Sequence, residues 1–265
     1  MGDTIKARKG SKAALDADPL LLAELGFVTD EERVYIGGNT ENIPLPNAAD
    51  LSERVKKSTV NITYYVNTST GLDTNDGLTS GTAFKTIQKA IDSLPQVINH
   101  TVNINVLSGT YSETVSIVGF SGKGSINIIG DTVVSNTRIV NSFSIINNSC
   151  PVAIQGFKVI ATSDVAILVN VCSKVSISYC NIIDSTSTYE GIVYRASLGF
   201  VLFSTISNKK FGIMAADCAT IFSSTNTGTG NSTGLYAVNA GTIGKYGSQP
   251  SGTTAELSEG GGVIR

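Results

Sequence analysis

Three sets of residues have types and spacing that could do chemistry: four cysteines, a short acidic loop, and a scatter of carboxylates and bases in the second half of the chain. A thiolate ligates zinc or acts as a nucleophile only with suitable neighbours. Cys150, Cys172, Cys180 and Cys218 contain no C-x-x-C pair, and the chain has one His. Zinc binding and histidine-assisted catalysis are therefore not expected, and no metal or cofactor is assigned. The run Asp73-x-Asn75-Asp76-Gly77 is similar to the start of a calcium loop. Its twelfth residue, where a bidentate Glu would close the site, is Phe84, so it reads as a polar turn ahead of a helix. The remaining candidates are Asp164, Asp184, Glu190 and Asp217, with Lys158, Lys174, Arg195, Lys209 and Lys210. Glycoside cleavage needs two carboxyl groups flanking the bond. If the chain is an enzyme, Asp184, Glu190 and Arg195, the densest patch, are the candidates for general acid-base roles. These charges share no repeat position and read as solvated turn residues, so catalysis is the secondary expectation.

The elements that would position these groups repeat. Anchors at Ile145, Ile167, Ile192, Ile213 and Leu235 are spaced 22, 25, 21 and 22 residues apart. A small residue follows each anchor five positions later: Cys150, Cys172, Ser197, Cys218 and Ala240. A second row is Ile154, Ile177, Val201, Ile221 and Ile243, with Cys180 level with Ser204 and Ser224. Partial third strands occur at Val159-Ile160, Ile182-Ile183 and Ile206. A period of this size, in residues of β type, predicts a three-sided solenoid that buries its core by stacking coils. The cysteines then read as small, reduced, inward-facing corner residues. Adjacent coils lie about 4.8 Å apart, so a Cys150–Cys172 disulfide is conceivable but not implied.

The residues after the anchors, Ile146, Leu168, Val193, Met214 and Tyr236, are also apolar. If the anchors point in, these point out and form a packing face for a homotrimer. Leu202 and Phe222 follow inward positions of the second row in the same way. A local twist that puts both neighbours in the core is the alternative.

Net charge is −2 with 15% charged residues, which gives no reason to expect a nucleic-acid or membrane-surface partner. No signal peptide and no apolar run of membrane-spanning length is visible. Residues 1–46 form a charged N-terminal module, with a strand at 25–29, a turn at 30–33 and a return strand at 34–36. Such a hairpin must pair or dock to be stable. Residues 47–62 read as a linker, with a short helix near 48–57. The main domain spans 63–247 and opens with an amphipathic helix from Phe84 to Leu94, N-capped by Thr82, that covers the first coil. Residues 248–265 are rich in Gly and Ser and read as a tail, mobile or ordered by a partner.

Two segments resemble known families. Tyr65-Val66-Asn67, the loop from Gly71 to Gly77, Ala83-Phe84-Lys85-Thr86-Ile87-Gln88-Lys89-Ala90-Ile91 and Gly109-Thr110-Tyr111-x-Glu113 resemble the start of the pectate-lyase-like right-handed β-helix superfamily. That fold class is all-β: a right-handed parallel β-helix with an N-terminal capping helix. The fold hosts lyases, hydrolases and binding proteins, and the lyases' acidic cluster and catalytic base find no counterpart here. The run Lys9-Gly10-Ser11, Glu24-Leu25-Gly26-Phe27-Val28-Thr29-Asp30 and Val34-Tyr35-Ile36-Gly37 resembles the attachment module at the head of bacteriophage tail-fibre and receptor-binding proteins, with Ala23 where Gly is usual. Together the resemblances imply a structural virion protein of a tail or baseplate, made in the host cytoplasm. It would be a homotrimer, joined to other tail proteins through residues 1–46, and would bind a host surface glycan or carry a receptor-binding protein. A tail-spike depolymerase is the alternative.

Overall fold

The computed structural model describes residues 7–17, 19–20, 25–29, 33–37, 41–45, 56–131, 137–161, 164–183 and 188–265. It divides into two units, Met1–Lys56 and Lys57–Arg265. The helix expected near 48–57 lies, except for its last two residues, outside the described residues.

In the first unit, β1 (Ala7–Gly10) leads through α1 (Lys12–Ala17) to β2 (Leu25–Val28), β3 (Arg33–Gly37) and β4 (Asn42–Pro44). β2 and β3 pair antiparallel from Leu25↔Ile36 to Val28↔Arg33, which is the expected hairpin. β1 adds to it in parallel and β4 antiparallel, supplying the neighbours that a lone hairpin lacks. Leu15, Leu20, Val28 and Tyr35 form a small core. Gly26 lies close under that core: a Cβ there would stand 3.0 Å from Leu20 and 3.3 Å from Leu15, so those side chains would have to give by a few tenths of an ångström.

The second unit is an all-β parallel solenoid. One face is a nine-stranded sheet from Ile62–Val66 to Val263–Ile264. The second face carries short strands such as Lys158–Val159, Asn181–Ile183 and Thr205–Ser207. The third runs from Gly109–Val118 to Gly252–Ser258. Strand Arg138–Ile146 serves both the second and third faces. Alternating β-branched residues fill the lumen, with Ile104, Ile128, Ile154 and Ile177 all fully buried on the first face.

The rows differ from the expected ones by two residues in two places. Ile167 pairs with Phe143, and Ile145 with Val169. Ile221 pairs with Gly199, and Val201 with Ser223. The cause at the second place is visible. A Cβ on Gly199 would overlap the ring of Tyr194, which is fully buried and fills the lumen where Gly199 leaves room. The apolar row therefore passes through a glycine. A slip of two residues keeps every side chain on its own face.

The covering helix, α2 (Ile87–Asp92), is shorter than expected, and its N-cap is Thr86, whose hydroxyl accepts from Lys89 N–H. Thr82 instead ends a single turn capped by Thr79. Phe84 lies in extended chain bridged to Val66. Helix starts leave backbone N–H groups without partners, and two carboxylates supply them here. Asp73 accepts from Lys85 and Thr86 at 2.8 and 3.0 Å. Glu113 accepts from Ile87 and Gln88, one oxygen each, at 2.9 and 3.0 Å. Ile87, Ala90 and Ile91 join the main core. At the other end, residues 252–258 and 263–264 pair with the preceding strands, so the segment expected as a tail belongs to the solenoid.

Candidate functional site

The corners of the solenoid explain the cysteines. Asn147, Val171 and Ala196 occupy one corner with φ of 55°, 53° and 43°, and Tyr179, Phe203 and Thr225 a second with φ of 53°, 50° and 52°. Non-glycine residues adopt such backbone reluctantly. Each corner N–H is bonded to a carbonyl of the next coil, as Val171 to Arg195 at 3.1 Å and Tyr179 to Leu202 at 3.1 Å. The residue after each corner turns inward and serves the coil before it. Asn148 accepts from Phe120 N–H at 2.9 Å and donates to Ile117 C=O at 2.7 Å. Asn226 does the same for Ser204 and Val201. Ser197 and Ser204 accept from Cys172 and Cys180 N–H respectively and donate to carbonyls of their own coil. Cys172 and Cys180 occupy the same place with a weaker sulfur donor.

Two cysteines therefore leave the expected row. Asn148 holds the place assigned to Cys150, and Cys218 sits at positive φ, 63°, exposed, with Ala219 buried beside it. Cys180 is level with Ser204 as expected, but the next member is Asn226 rather than Ser224. Burial pushes the Cys150 and Cys180 thiols up to about 11 from 9.0, and raises Cys172. A raised thiol pKa means less thiolate at any given pH. At pH 8 the thiolate fraction of Cys150 and Cys180 is lower by about a hundredfold, before burial slows access further. Alkylation followed by mass spectrometry is expected to modify Cys218 alone in the folded protein and every cysteine in denaturant. Native labelling of Cys180 at the rate of Cys218 would contradict its buried place.

The acidic loop is structural. Asp73 caps the approach to α2, and Asp76 accepts from Leu78 N–H and the Thr82 hydroxyl at 3.0 and 2.7 Å. Among the described residues no group of three or more His, Cys, Asp or Glu could hold a metal ion.

Of the catalytic candidates, Asp184 lies outside the described residues. Glu190 is partly buried, with Oε1 3.8 Å from Lys210 Nζ, and Lys210 lies over the Phe211 ring at 5.2 Å. Arg195 is exposed at the end of strand Ile192–Arg195. Asp164 accepts from Val165 N–H, and Asp217 from Asn239. These described solenoid carboxylates are thus engaged in local contacts. Lys209 departs from its expected solvated turn. It is fully buried, and its Nζ donates to Ala161 C=O at 3.1 Å, two coils away. A cation at a loop carries no sequence sign of such a reach.

In the expected packing column, Leu168, Val193, Met214 and Tyr236 are in register. Ile146 pairs instead with Asn170, and Ser144 takes the place beside Leu168. Leu168 and Met214 are partly exposed, Val193 is buried, and Tyr236 packs on Phe211 at 4.3 Å while donating to Glu259 at 2.7 Å. A second apolar surface lies on the first face. Its outward residues are mostly polar in the early strands, where Asn127 donates to Asn103 at 3.0 Å. In strand Leu198–Leu202 they become Leu198, Phe200 and Leu202, followed by Phe222 and Tyr246 in the next two strands. Leu198, Phe222 and Tyr246 are 45%, 43% and 71% exposed. Tyr179 and Phe203 stack at the adjoining corner with centroids 5.2 Å apart. The sequence pointed to Leu202 and Phe222. The register adds the rest.

No protein-family model matches the chain, and no curated protein matches it. Among solved structures it is similar to ORF18 of Geobacillus virus E2, at 10% identity and a TM-score of 0.27, covering 97% of this chain and 73% of that one.

Proposed function

We propose that this chain is a structural virion protein of a phage tail or baseplate. In this reading residues 1–46 join it to other tail proteins. The solenoid, as a homotrimer, projects to bind the host surface or to carry a receptor-binding protein. The observation that carries the reading is the apolar surface from Leu198 to Tyr246, on a solenoid whose described carboxylates are committed to caps, turns and ion pairs. A cluster of exposed apolar side chains of this kind suits docking, whereas glycan cleavage calls for two carboxyl groups poised across a bond. The virion context comes from the two sequence resemblances. The column of Leu168, Val193, Met214 and Tyr236, with Ile146 beside it, remains the proposed contact between protomers, made through its partly exposed members Leu168, Met214 and Ile146, since Val193 is buried within the protomer.

The test combines mass, binding and turnover on the full chain. Light scattering is expected to give the mass of a trimer. The protein is expected to be retained on bacterial envelope preparations without releasing reducing sugar. Release of sugar from any envelope glycan would replace this reading with a depolymerase. A stable monomer would remove the trimer and its contact column.

A further inference from the structure

One glycine on the first face is demanded by neither backbone nor packing. The outward column there runs Asn127, Ala153, Ser176, Phe200, Phe222 and Gly244. A Cβ on Gly244 would meet nothing closer than Ile221 O and Phe222 Cδ2, both at 3.8 Å, and its φ lies outside the left-handed region. Its strand pairs without a shift from Thr220↔Thr242 to Ser224↔Tyr246, so it marks no bulge. Glycine inside a strand weakens it. Where neither a bulge nor a close backbone accounts for it, the remaining common reason is close approach of a ligand. The gap that Gly244 leaves has walls. The Phe222 ring stands on one side. On the other, Lys245 N–H donates to Arg265 C=O at 2.8 Å and Arg265 N–H to Ile243 C=O at 3.0 Å, which sets Arg265 opposite Gly244 on the same face. The strands of Phe222 and Arg265 are two spacings apart, about 9.6 Å. Thr242 and Tyr246, two residues either way along the strand, share that face.

We propose that this gap takes a carboxylate-bearing sugar ring of a surface polysaccharide. A sugar ring has an apolar C–H face and a rim of hydroxyls. Phe222 offers the first an apolar wall, and Thr242 and Tyr246 offer the second hydroxyls that both donate and accept. A few polar groups among apolar walls are what orient a small ligand. The charge of the surface selects the acid. Arg265 is exposed, and a guanidinium fork matches a carboxylate. At the far end of the Phe200–Phe222 pair, Lys174 Nζ lies over the Phe200 ring at 5.4 Å, a partner for a second charged sugar further along the polymer. Among the described residues at the outward positions of strands Leu198–Leu202, Thr220–Ser224 and Thr242–Tyr246 none is acidic, so the local field favours an anion. The source of the sugar rests on the reading of this protein as one that binds the host surface.

Calorimetry on the full chain tests it, with oligosaccharides of glucuronate, galacturonate and sialate as probes, a glucose oligomer as the neutral control and poly-glutamate as a peptide of like charge. At least one acidic oligosaccharide is expected to bind, and more tightly than either control. Gly244→Val fills the gap with a residue suited to a strand. Its thermal midpoint is expected to equal or exceed that of the wild type while binding falls about tenfold or more. Arg265→Gln is expected to lose about tenfold for the acidic sugar and nothing for the glucose oligomer. Binding of none of the acidic probes overturns the proposal, as does binding that Gly244→Val leaves unchanged. A lowered midpoint in Gly244→Val would show that the fold itself needs the glycine and remove the premise. Equal binding of poly-glutamate would replace the sugar with an acidic protein segment. Retention on envelopes that survives Gly244→Val keeps the host-binding reading and removes only this site. An acidic sugar bound by a protein that envelopes do not retain removes that reading and keeps the site.

Discussion

Replacing Tyr194 by alanine is expected to lower the unfolding free energy by about 3–5 kcal/mol, the cost of emptying a large buried aromatic site. The ring is fully buried, and its hydroxyl donates at a corner of the core where Val175 C=O and Phe200 C=O lie 3.1 and 3.2 Å away. Tyr194→Phe keeps the ring and leaves those carbonyls without the hydroxyl, so its expected cost is about 1 kcal/mol. Gly199→Val should be as damaging as Tyr194→Ala, because its side chain would occupy the space of the ring. The decisive measurement is the double variant, Tyr194→Ala with Gly199→Val, in urea unfolding. Tyr194→Ala removes the ring from the path of the new side chain but leaves its Cβ 2.7 Å from Val175 C=O, so the pair is expected to cost less than the sum of the singles but more than Tyr194→Ala alone. Strict additivity would mean that the two positions do not share one space.

Asn148→Ala is expected to cost about 2–4 kcal/mol, since it strands one buried N–H and one buried C=O, each worth about 1–3 kcal/mol when left unmade. Both groups belong to the preceding coil, Phe120 and Ile117, and Asn148 itself is 1% exposed. Amide exchange at Phe120 should accelerate along with the loss of stability. Asn148→Ser is expected to recover part of it, because Ser197, at the same corner two coils on, receives an N–H in the same way but donates to its own coil. Equal stability of the Ala and Ser variants would show that the N–H acceptor at this corner contributes nothing.

The parity of the fold was legible before its register. Rows chosen by apolar identity placed Ile145 with Ile167 and Val201 with Ile221, and both pairings are two residues out. An alternating pattern repeats every two residues, so it carries no information that distinguishes such slips. What sets the register at Gly199 is a side chain from another face of the coil, Tyr194, and no local pattern in the strand announces it. The corner positions were read as a demand for small residues. Asn148, Asn226, Ser197, Ser204 and Cys172 carry groups that bond a neighbouring backbone there, whereas Ala219 at the same corner is only small. The last eighteen residues were read as a tail because Gly, Ser and Thr dominate them. An added strand needs only its backbone to pair, so a polar composition did not prevent Gly252–Ser258 from forming a ladder. Of the acid-base candidates, the sequence indicated their segment, but the ion pair of Glu190 with Lys210 depends on the coil that follows.

Lys209 bears on how such a shaft would come apart under load. In a stacked array most interactions join neighbours only, so coils can peel away one at a time from a free end. Lys209 breaks that rule, since its side chain passes the intervening coil to reach Ala161. Detaching the coil that carries it also breaks a bond to the coil two steps on. A pulling trace from the C-terminal end would then show regular steps with one of higher force where the coil of Lys209 leaves, which makes a single buried lysine the point where peeling is held back.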